Sequence, residues 1–386
     1  MQAGTLAPTR GWGWAAHLRE GGTTPWASWS EPASPFAAAH LPGAEMLELL
    51  RRLNATGPSE PSRVDSLLRT SPPGRGRRDL PLLGDTSNRT YGPQPVDPAT
   101  LPPQELLRAA SVLLAEDLLA GIEEERAPRT RWLARARRRW AASHGSAGRT
   151  APEQDRLPYR LVGSPWLTLP IREELERQGK RPGGEGYTVY VLGGPLDEVA
   201  AAAWKFRTFT NRVNPWPIWM RDAQWRGWLG PRADLPRIAA WWAARVGKER
   251  VEIVTDPSLL PGLLGVDSLP GPWSVSAEAH EVARVIGQVL SVRTDLETHR
   301  KLLMDGLRPR LEKLEPLHPG ASEVGFPAQS LNWVTTRARA QRDALVGARY
   351  ALHGDPDRLL PSGRTSQGPD GRRALALALS LLAGRS

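Results

Sequence analysis

Three short apolar runs that stop at a glycine or an aspartate constrain the fold of this chain more than any other feature. They occupy residues 159–163, 187–193 and 251–256. Apolar residues at helical spacing fill three segments around them, 171–178, 196–209 and 235–246. Strands that alternate with helices predict an α/β fold, in which helices cover both faces of a parallel sheet. Ligands bind such sheets at the carboxyl ends of the strands, so candidate site residues are sought there.

Length and composition narrow the class of protein. The 386 residues are enough for about two domains. The absence of cysteine excludes disulfides, thiolate metal sites and a cysteine nucleophile. The seven histidines show no paired ligand spacing, so no metal site is expected. No run resembles a signal peptide, and the most apolar one, 374–383, is too short to span a membrane, which predicts a cytoplasmic protein.

Periodicity and turn residues predict four regions along the chain. The first is a mainly helical region rich in tryptophan and arginine, 1–142, and the second is a linker, 143–156. The sheet and its helices form the third, 157–361, and a flexible segment with a closing helix forms the fourth, 362–386. Helices are also predicted at 42–54, 63–69, 103–126, 130–143, 257–264, 276–290, 295–314, 330–346 and 372–383.

The net charge of +10 is carried almost entirely by arginine and suggests an acidic partner, although a GC-rich genome also favours arginine over lysine. One predicted helix gathers these charges along one side, with Trp132 and Trp140 on the other. Such a helix suits a nucleic-acid backbone, together with the loop 75–78, but a solvated face packed through its tryptophans is the favoured interpretation. The charged side consists of Arg131, Arg135, Arg138 and Arg139.

Tryptophan is unusually frequent, with sixteen residues against four phenylalanines, and its spacing repeats once. Trp14 precedes the segment PWASW (25–29) by the interval at which Trp204 precedes PWPIW (215–219). Either this is coincidence in a tryptophan-rich chain, or the two stretches are copies of one supersecondary unit. The second alternative predicts that the N-terminal part packs much as the second half does.

The second half carries three stretches of family-like sequence: VYVLGGPLDEV with AAAAWKFR (189–207), LPRIAAWW with ERVEIVTDP (235–257), and DALVGARYALHGD through LLP (343–361). In the order of its elements, this half resembles the actinobacterial branch of the sulfotransferase-like P-loop proteins. The resemblance covers about 158–361 and implies a sulfotransferase-like sheet. It further implies phosphoadenosine phosphosulfate as the cofactor of an active member.

The phosphate loop that the resemblance implies falls at VGSPWLTLP (162–170), before a helix expected to begin at Ile171. The position of the family's lysine holds Trp166, and Pro170 sits where a free amide is expected. We therefore expect a degenerate anion site with no resident cofactor. The residues that remain as cofactor contacts are Gly163, Ser164, Thr168, Arg172, Lys205 and Arg207, with Arg212 nearby and Glu173, Glu198 or His353 as general bases.

These observations favour a non-catalytic binding or scaffold protein. Its expected contact region is the tryptophan-rich stretch that holds Trp219, Trp225 and Trp228. One alternative is an active sulfotransferase that uses phosphoadenosine phosphosulfate at a remodelled anion site. The other is a protein that binds nucleic acid or an acidic partner through the arginine-rich helix.

Overall fold

The structure is a computed structural model that divides into two compact units. Unit 1 comprises 1–123, 278–321 and 369–386, and unit 2 comprises 124–277 and 322–368. Each unit is therefore assembled from stretches that are distant in the chain. The residues that the structure describes are 7–31, 41–57, 60–69, 80–84, 94–121, 156–183, 186–227, 229–269, 275–318, 322–366 and 368–384.

Helices dominate both units, and their boundaries follow local capping signals. Asp234 caps α8 by accepting a hydrogen bond from the Arg237 amide, and Asp370 caps α14 through the Arg372 amide. The α-helices of the described residues, in chain order, are α1 Ala7–Arg19, α2 Ala44–Thr56, α3 Pro61–Arg69, α4 103–121, α5 Pro165–Arg177, α6 Leu196–Thr210, α7 Trp216–Trp225, α8 Leu235–Val246, α9 Leu260–Leu264, α10 Ala277–Leu290, α11 Leu296–Lys301, α12 Arg308–Leu314, α13 Leu331–Gly347 and α14 Gly371–Leu382.

Unit 2 contains a four-stranded parallel sheet with the order β2-β4-β5-β6 and a parallel two-stranded pair, β1-β3. The predicted α/β class is thereby confirmed, and each of the three apolar runs contains one strand of the sheet. The strands are short, and each ends at or within two residues of the end of its apolar run. Their bounds are β1 Arg156–Leu157, β2 Tyr159–Gly163, β3 Arg181–Pro182, β4 Thr188–Leu192, β5 Val251–Val254 and β6 Ala351–His353.

Both faces of the sheet are covered, as the near-continuous apolar strands require. Because side chains alternate across a strand, Leu161 and Leu192 pack with Ile171 of α5 on one face. Val191 and Ile253 face the other way, where α8 and α13 cover them. Helix α6, which begins just beyond β4, belongs to a further core cluster with α7 and α13.

Unit 1 is helical in its described residues, apart from isolated bridges. Leucines of α2 and α4 are fully buried, and π-helical turns at 302–307 join α11 to α12. Glu48 is buried, with an ion pair to Arg51 at 2.7 Å and one to Arg52 at 2.8 Å. Because a buried charge that loses its partner is strongly destabilising, these two pairs keep the Glu48 carboxylate compensated where it is buried.

The tryptophan spacing corresponds to the same geometry in both halves. The Trp14 indole donates to the carbonyl of Thr24 at 2.9 Å, and its ring packs against Trp26 at 5.3 Å. The Trp204 indole donates to the carbonyl of Asn214 at 3.0 Å, and its ring packs against Trp216 at 5.6 Å. Both donors are fully buried in a helix. We call this arrangement the tryptophan clamp, and its two occurrences favour duplication over coincidence.

The structure differs from the sequence-based expectations in two places. Helix α5 begins at Pro165, so the expected start at Ile171 was wrong and 165–170 is helix instead of loop. Residues 278–321, which the sequence places within the region 157–361, cluster with unit 1. The linker 143–156 lies outside the described residues except for its last position.

Candidate functional site

The turn between β2 and α5 is where the resemblance implies a phosphate loop, and this turn is closed. Strand β2 ends at Gly163, Ser164 is the N-cap, and Pro165 is the first helical residue. Gly163 has a φ of 137°, and a Cβ at this position would collide with the carbonyl oxygen of Leu192 in the neighbouring strand. The glycine therefore serves close packing of the two strands, and a single residue separates strand from helix.

Four hydrogen-bond donors at this turn, two amides and two hydroxyls, are engaged within the protein. Pro165 has no amide hydrogen, and the amides of Leu167 and Thr168 both point to the carbonyl of Ser164. The Ser164 hydroxyl donates to the carbonyl of Arg232 at 2.7 Å. The buried Thr168 hydroxyl donates to the Ser164 carbonyl at 3.2 Å. The predicted contacts Gly163, Ser164 and Thr168 thus lie together but stabilise the turn.

A small pocket of about 20 Å³, enough for about one water molecule, lies at the carboxyl ends of β2 and β4. Gly193 and Gly194 line it with Arg232 and with apolar side chains of α6 and α8. The side-chain amide of Gln341 also lines it but already accepts from the Leu235 amide. This is the usual ligand position in a parallel sheet, yet its lining is mostly apolar here.

The three predicted cationic contacts have different surroundings. Arg172 is exposed on α5. Burial lowers the pKa of Lys205 on α6, and the carboxylates of Glu323 and Glu198 act in the opposite direction. The Lys205 charge is therefore compensated from within the protein. Burial also raises the pKa of Glu198, with the neighbouring carboxylate of Asp197 adding to the effect.

Arg207, two residues nearer the end of α6, has no such compensation from the described residues. Its guanidinium lies over the Trp166 ring at 4.9 Å and over the Trp219 ring at 5.8 Å from the centroid. Among the described residues no carboxylate forms an ion pair with it, and its one hydrogen bond runs from Nη1 to the Ala203 carbonyl at 3.1 Å. Burial lowers the pKa of Arg207, and the nearby guanidinium of Arg232 lowers it further.

Arg207 lines an open cleft of about 1160 Å³, including its mouth. Besides Arg207, the cationic side chains that line it are Arg212 and Arg226, both exposed. Asp222 is the one acidic side chain among its described lining residues, and its Oδ2 accepts from the Asn214 amide at 3.2 Å. We call this site the arginine cleft. Its full described lining is Arg207, Arg212, Val213, Asn214, Trp219, Asp222, Ala223, Arg226, Leu229 and Gly230.

The predicted partner contacts are only partly described. Trp219 is half-buried, stacks on Trp216 at 5.5 Å and lines the arginine cleft. Trp225 ends α7 with 88% of its surface exposed. Trp228 and the arginines at 131, 135, 138 and 139 lie outside the described residues, as does the loop 75–78.

The predicted general bases lie on three different elements. Glu173 is exposed on α5, and Glu198 lies in the first turn of α6. His353 lies on the edge strand β6 and contacts Glu252 at 2.5 Å, while its ring meets Tyr190 at 6.1 Å. Three strand spacings separate β6 from β2, roughly 14 Å. His353 is therefore distant from the turn where the resemblance places the cofactor.

Sequence reasoning missed Arg226 and Arg232. Arg226 immediately follows the last residue of α7 and lies seven positions after Trp219, so both occur near one face of that helix. This spacing is a signal that inspection of the Trp-rich segment could have used. Arg232 carries no such signal, because its proximity to Arg207 depends on the path of the chain between α7 and α8.

In the described part of the chain, no group of three or more His, Asp or Glu side chains could hold a metal ion. None of the helices described is long and apolar enough to cross a membrane.

The fold and the cleft together define an α/β protein with a short parallel sheet and an arginine-lined surface site at the end of α6. Comparison of the chain with protein-family models, with curated proteins and with solved structures finds no match.

Proposed function

We propose that this chain is a non-catalytic binding or scaffold protein. In this proposal its sheet is a sulfotransferase-like fold with a degenerate nucleotide site, and an acidic partner binds in the arginine cleft. The observation that carries the proposal is the contrast within α6. Lys205 has carboxylates nearby, whereas Arg207 is half-buried with a second cation nearby, and none of the carboxylates that the structure describes forms an ion pair with it. A half-buried cation of this kind is stabilised most when a binding partner supplies the missing negative charge.

The closed turn after β2 supports a degenerate nucleotide site. Nucleotide phosphates bind a strand-to-helix turn through free backbone amides and a nearby cation. Here Pro165 removes one amide, Ser164 accepts from two more, and Trp166 replaces the cation that the resemblance implies. The pocket beside the turn holds Arg232 as its one described cation. Active sulfuryl transfer remains the alternative, and it requires phosphoadenosine phosphosulfate to bind there.

Calorimetric titration with adenosine 3′,5′-bisphosphate separates these two functions. We expect no heat of binding from the native protein at moderate salt. A Trp166→Lys variant, which restores the cation, serves as the gain-of-function comparison. Tight native binding that persists as salt is raised would refute the degenerate site.

Titration with a short poly-glutamate peptide tests the acidic partner. We expect binding that weakens at least tenfold in the double variant Arg212→Gln/Arg226→Gln, since both arginines line the cleft. Arg221→Gln/Arg237→Gln is the matched control, because it removes the same charge from exposed positions of α7 and α8 outside the cleft. If binding weakens equally in both double variants, net charge alone explains the effect, and the cleft is refuted as the binding site. A single-stranded DNA arm, with affinity that falls steeply with salt, tests the nucleic-acid alternative.

A further inference from the structure

Comparison of the two tryptophan clamps shows which side chains of α6 the packing of the clamp requires and which it does not require. His17 lies three residues after Trp14, as Arg207 lies three residues after Trp204. In the first clamp, His17 stacks on Trp29 at 4.6 Å and its Nε2 contacts the Thr24 hydroxyl at 3.0 Å. The side chain at this position therefore has an internal polar partner.

In the second clamp the corresponding side chain keeps the aromatic contact, but no side chain among the described residues is its polar partner. Arg207 lies over the Trp219 ring, the counterpart of Trp29, and lines a cleft instead of contacting a threonine. Its Nη1 bonds the Ala203 carbonyl, and no other described residue accepts from it. Packing of the clamp alone thus does not explain an arginine at this position.

The geometry of Arg207 selects the shape of its ligand. The guanidinium of Arg207 lies over the Trp166 and Trp219 rings, its Nη1 bonds the Ala203 carbonyl, and the side chain lines the cleft, where its other N–H groups can serve a ligand. Such groups form paired, parallel hydrogen bonds with two oxygens of one acceptor, as in carboxylates and phosphates. An anion without paired oxygens forms fewer of these hydrogen bonds with the guanidinium group.

The number of cations selects the charge of the ligand. Arg212 and Arg226 line the cleft with Arg207, and the guanidinium of Arg232, which is not part of the lining, lies near that of Arg207. The opposing charge in the cleft is Asp222, whose carboxylate is paired with the Asn214 amide. A single carboxylate neutralises one of these four guanidinium groups, whereas a dianion neutralises two and offers three oxygens.

From this geometry we propose that the arginine cleft recognises a phosphate monoester group, with Arg207 as its bidentate donor and Arg212 and Arg226 as flanking cations. This inference rests on the proposed binding function and names the group that the acidic partner presents. A phosphate on a polypeptide and free inorganic phosphate share this chemistry. The polypeptide is the expected source, because the cleft is open and the exposed Trp225 ends the same helix that supplies Trp219.

The test compares two peptides of one sequence that carry either one phosphoserine or one glutamate, with inorganic phosphate as a third ligand. At pH 7.5 we expect the phosphopeptide to bind at least tenfold more tightly than the glutamate peptide. Free phosphate should compete for the site at higher concentration. If free phosphate binds as tightly as the phosphopeptide, the source is the ion and the polypeptide assignment is overturned.

Lowering the pH provides a second, independent readout. The second pKa of phosphoserine is about 6, so the dianionic fraction falls about tenfold between pH 7.5 and pH 5. Glutamate, with a pKa of about 4.3, stays largely ionised over this range. The charged side chains that line the cleft beside the ligand are Arg207, Arg212, Arg226 and Asp222. We expect the affinity ratio of the two peptides to fall about tenfold, and a constant ratio would refute dianion recognition.

Variants separate this inference from the proposed function. Arg226→Gln and Arg212→Gln change exposed side chains and should each weaken phosphopeptide binding without affecting folding. Arg207→Lys keeps the charge but loses the paired donors, so it should reduce the preference for phosphate more than the binding of glutamate. Arg221→Gln is the control and should change neither. Equal binding of both peptides refutes phosphate recognition alone, whereas no binding of either peptide also refutes the proposed function.

Discussion

The two tryptophan clamps allow one packing argument to be tested twice in the same chain. Trp14→Phe and Trp204→Phe each remove one indole N–H from a fully buried clamp. Each substitution leaves a main-chain carbonyl, of Thr24 or Asn214, without its donor. If the two clamps stabilise their units equally, the two substitutions should lower the free energy of unfolding by similar amounts.

The magnitude follows from two contributions. Loss of the hydrogen bond to this carbonyl, which is only partly buried, costs about 1 kcal/mol. The smaller phenylalanine ring leaves a cavity beside the second tryptophan and loses buried apolar contact, which costs about 1–2 kcal/mol more. The expected destabilisation is therefore about 2–3 kcal/mol for each variant. With a urea dependence of roughly 2 kcal/mol per molar, the midpoint should fall by about 1–1.5 M.

Urea unfolding followed by far-ultraviolet circular dichroism is the appropriate assay, because tryptophan fluorescence changes with the substitution itself. Trp225→Phe is the matched control, since this side chain is 88% exposed and the change should cost less than about 0.5 kcal/mol. If either clamp variant falls within the range of the control, the clamp does not support its unit. A large cost in one clamp and none in the other would refute their equivalence.

Three further predictions concern other parts of the structure. Burial lowers the pKa of His299, and neither ring nitrogen has a hydrogen-bond partner among the described residues. The unfolded chain binds the proton more readily, so the contribution of His299 to the free energy of unfolding should be fully present above the ordinary pKa of 6.5 and should fall as the pH drops below it. His299→Leu should flatten this pH dependence, as measured by urea unfolding at pH 7.5 and 5. Gly163→Ala should cost about 2–4 kcal/mol through its collision and positive φ, whereas Gly194→Ala, whose added Cβ meets ordinary contact, should cost less than about 1 kcal/mol; equal midpoints would contradict the packing argument. Buried Asp197 accepts from both the amide and the hydroxyl of Ser362, at 3.0 and 2.9 Å, so Asp197→Ala should cost about 2–3 kcal/mol and Ser362→Ala about 1 kcal/mol in the same assay, and the reverse order would refute this role.

The sequence by itself determined where three strands of the four-stranded sheet lie along the chain and which helical segments lie between them. These features depend on neighbours within a few positions, and alternation in strands and helical spacing record them directly. The bounds of α8, for example, match the predicted segment 235–246. The clamp was also visible as spacing, because each indole bonds a carbonyl only ten residues away.

Tertiary structure alone decided the start of α5 and the character of the candidate site. Ser164 becomes an N-cap position where its hydroxyl reaches the Arg232 carbonyl, a partner 68 residues away that no local pattern records. Arg207 and Lys205 lie two residues apart and look alike in the sequence. Glu323 approaches Lys205 but not Arg207 in the folded unit. Whether a buried charge is compensated depends on distant residues, because electrostatic interactions follow distance in space and not position along the chain.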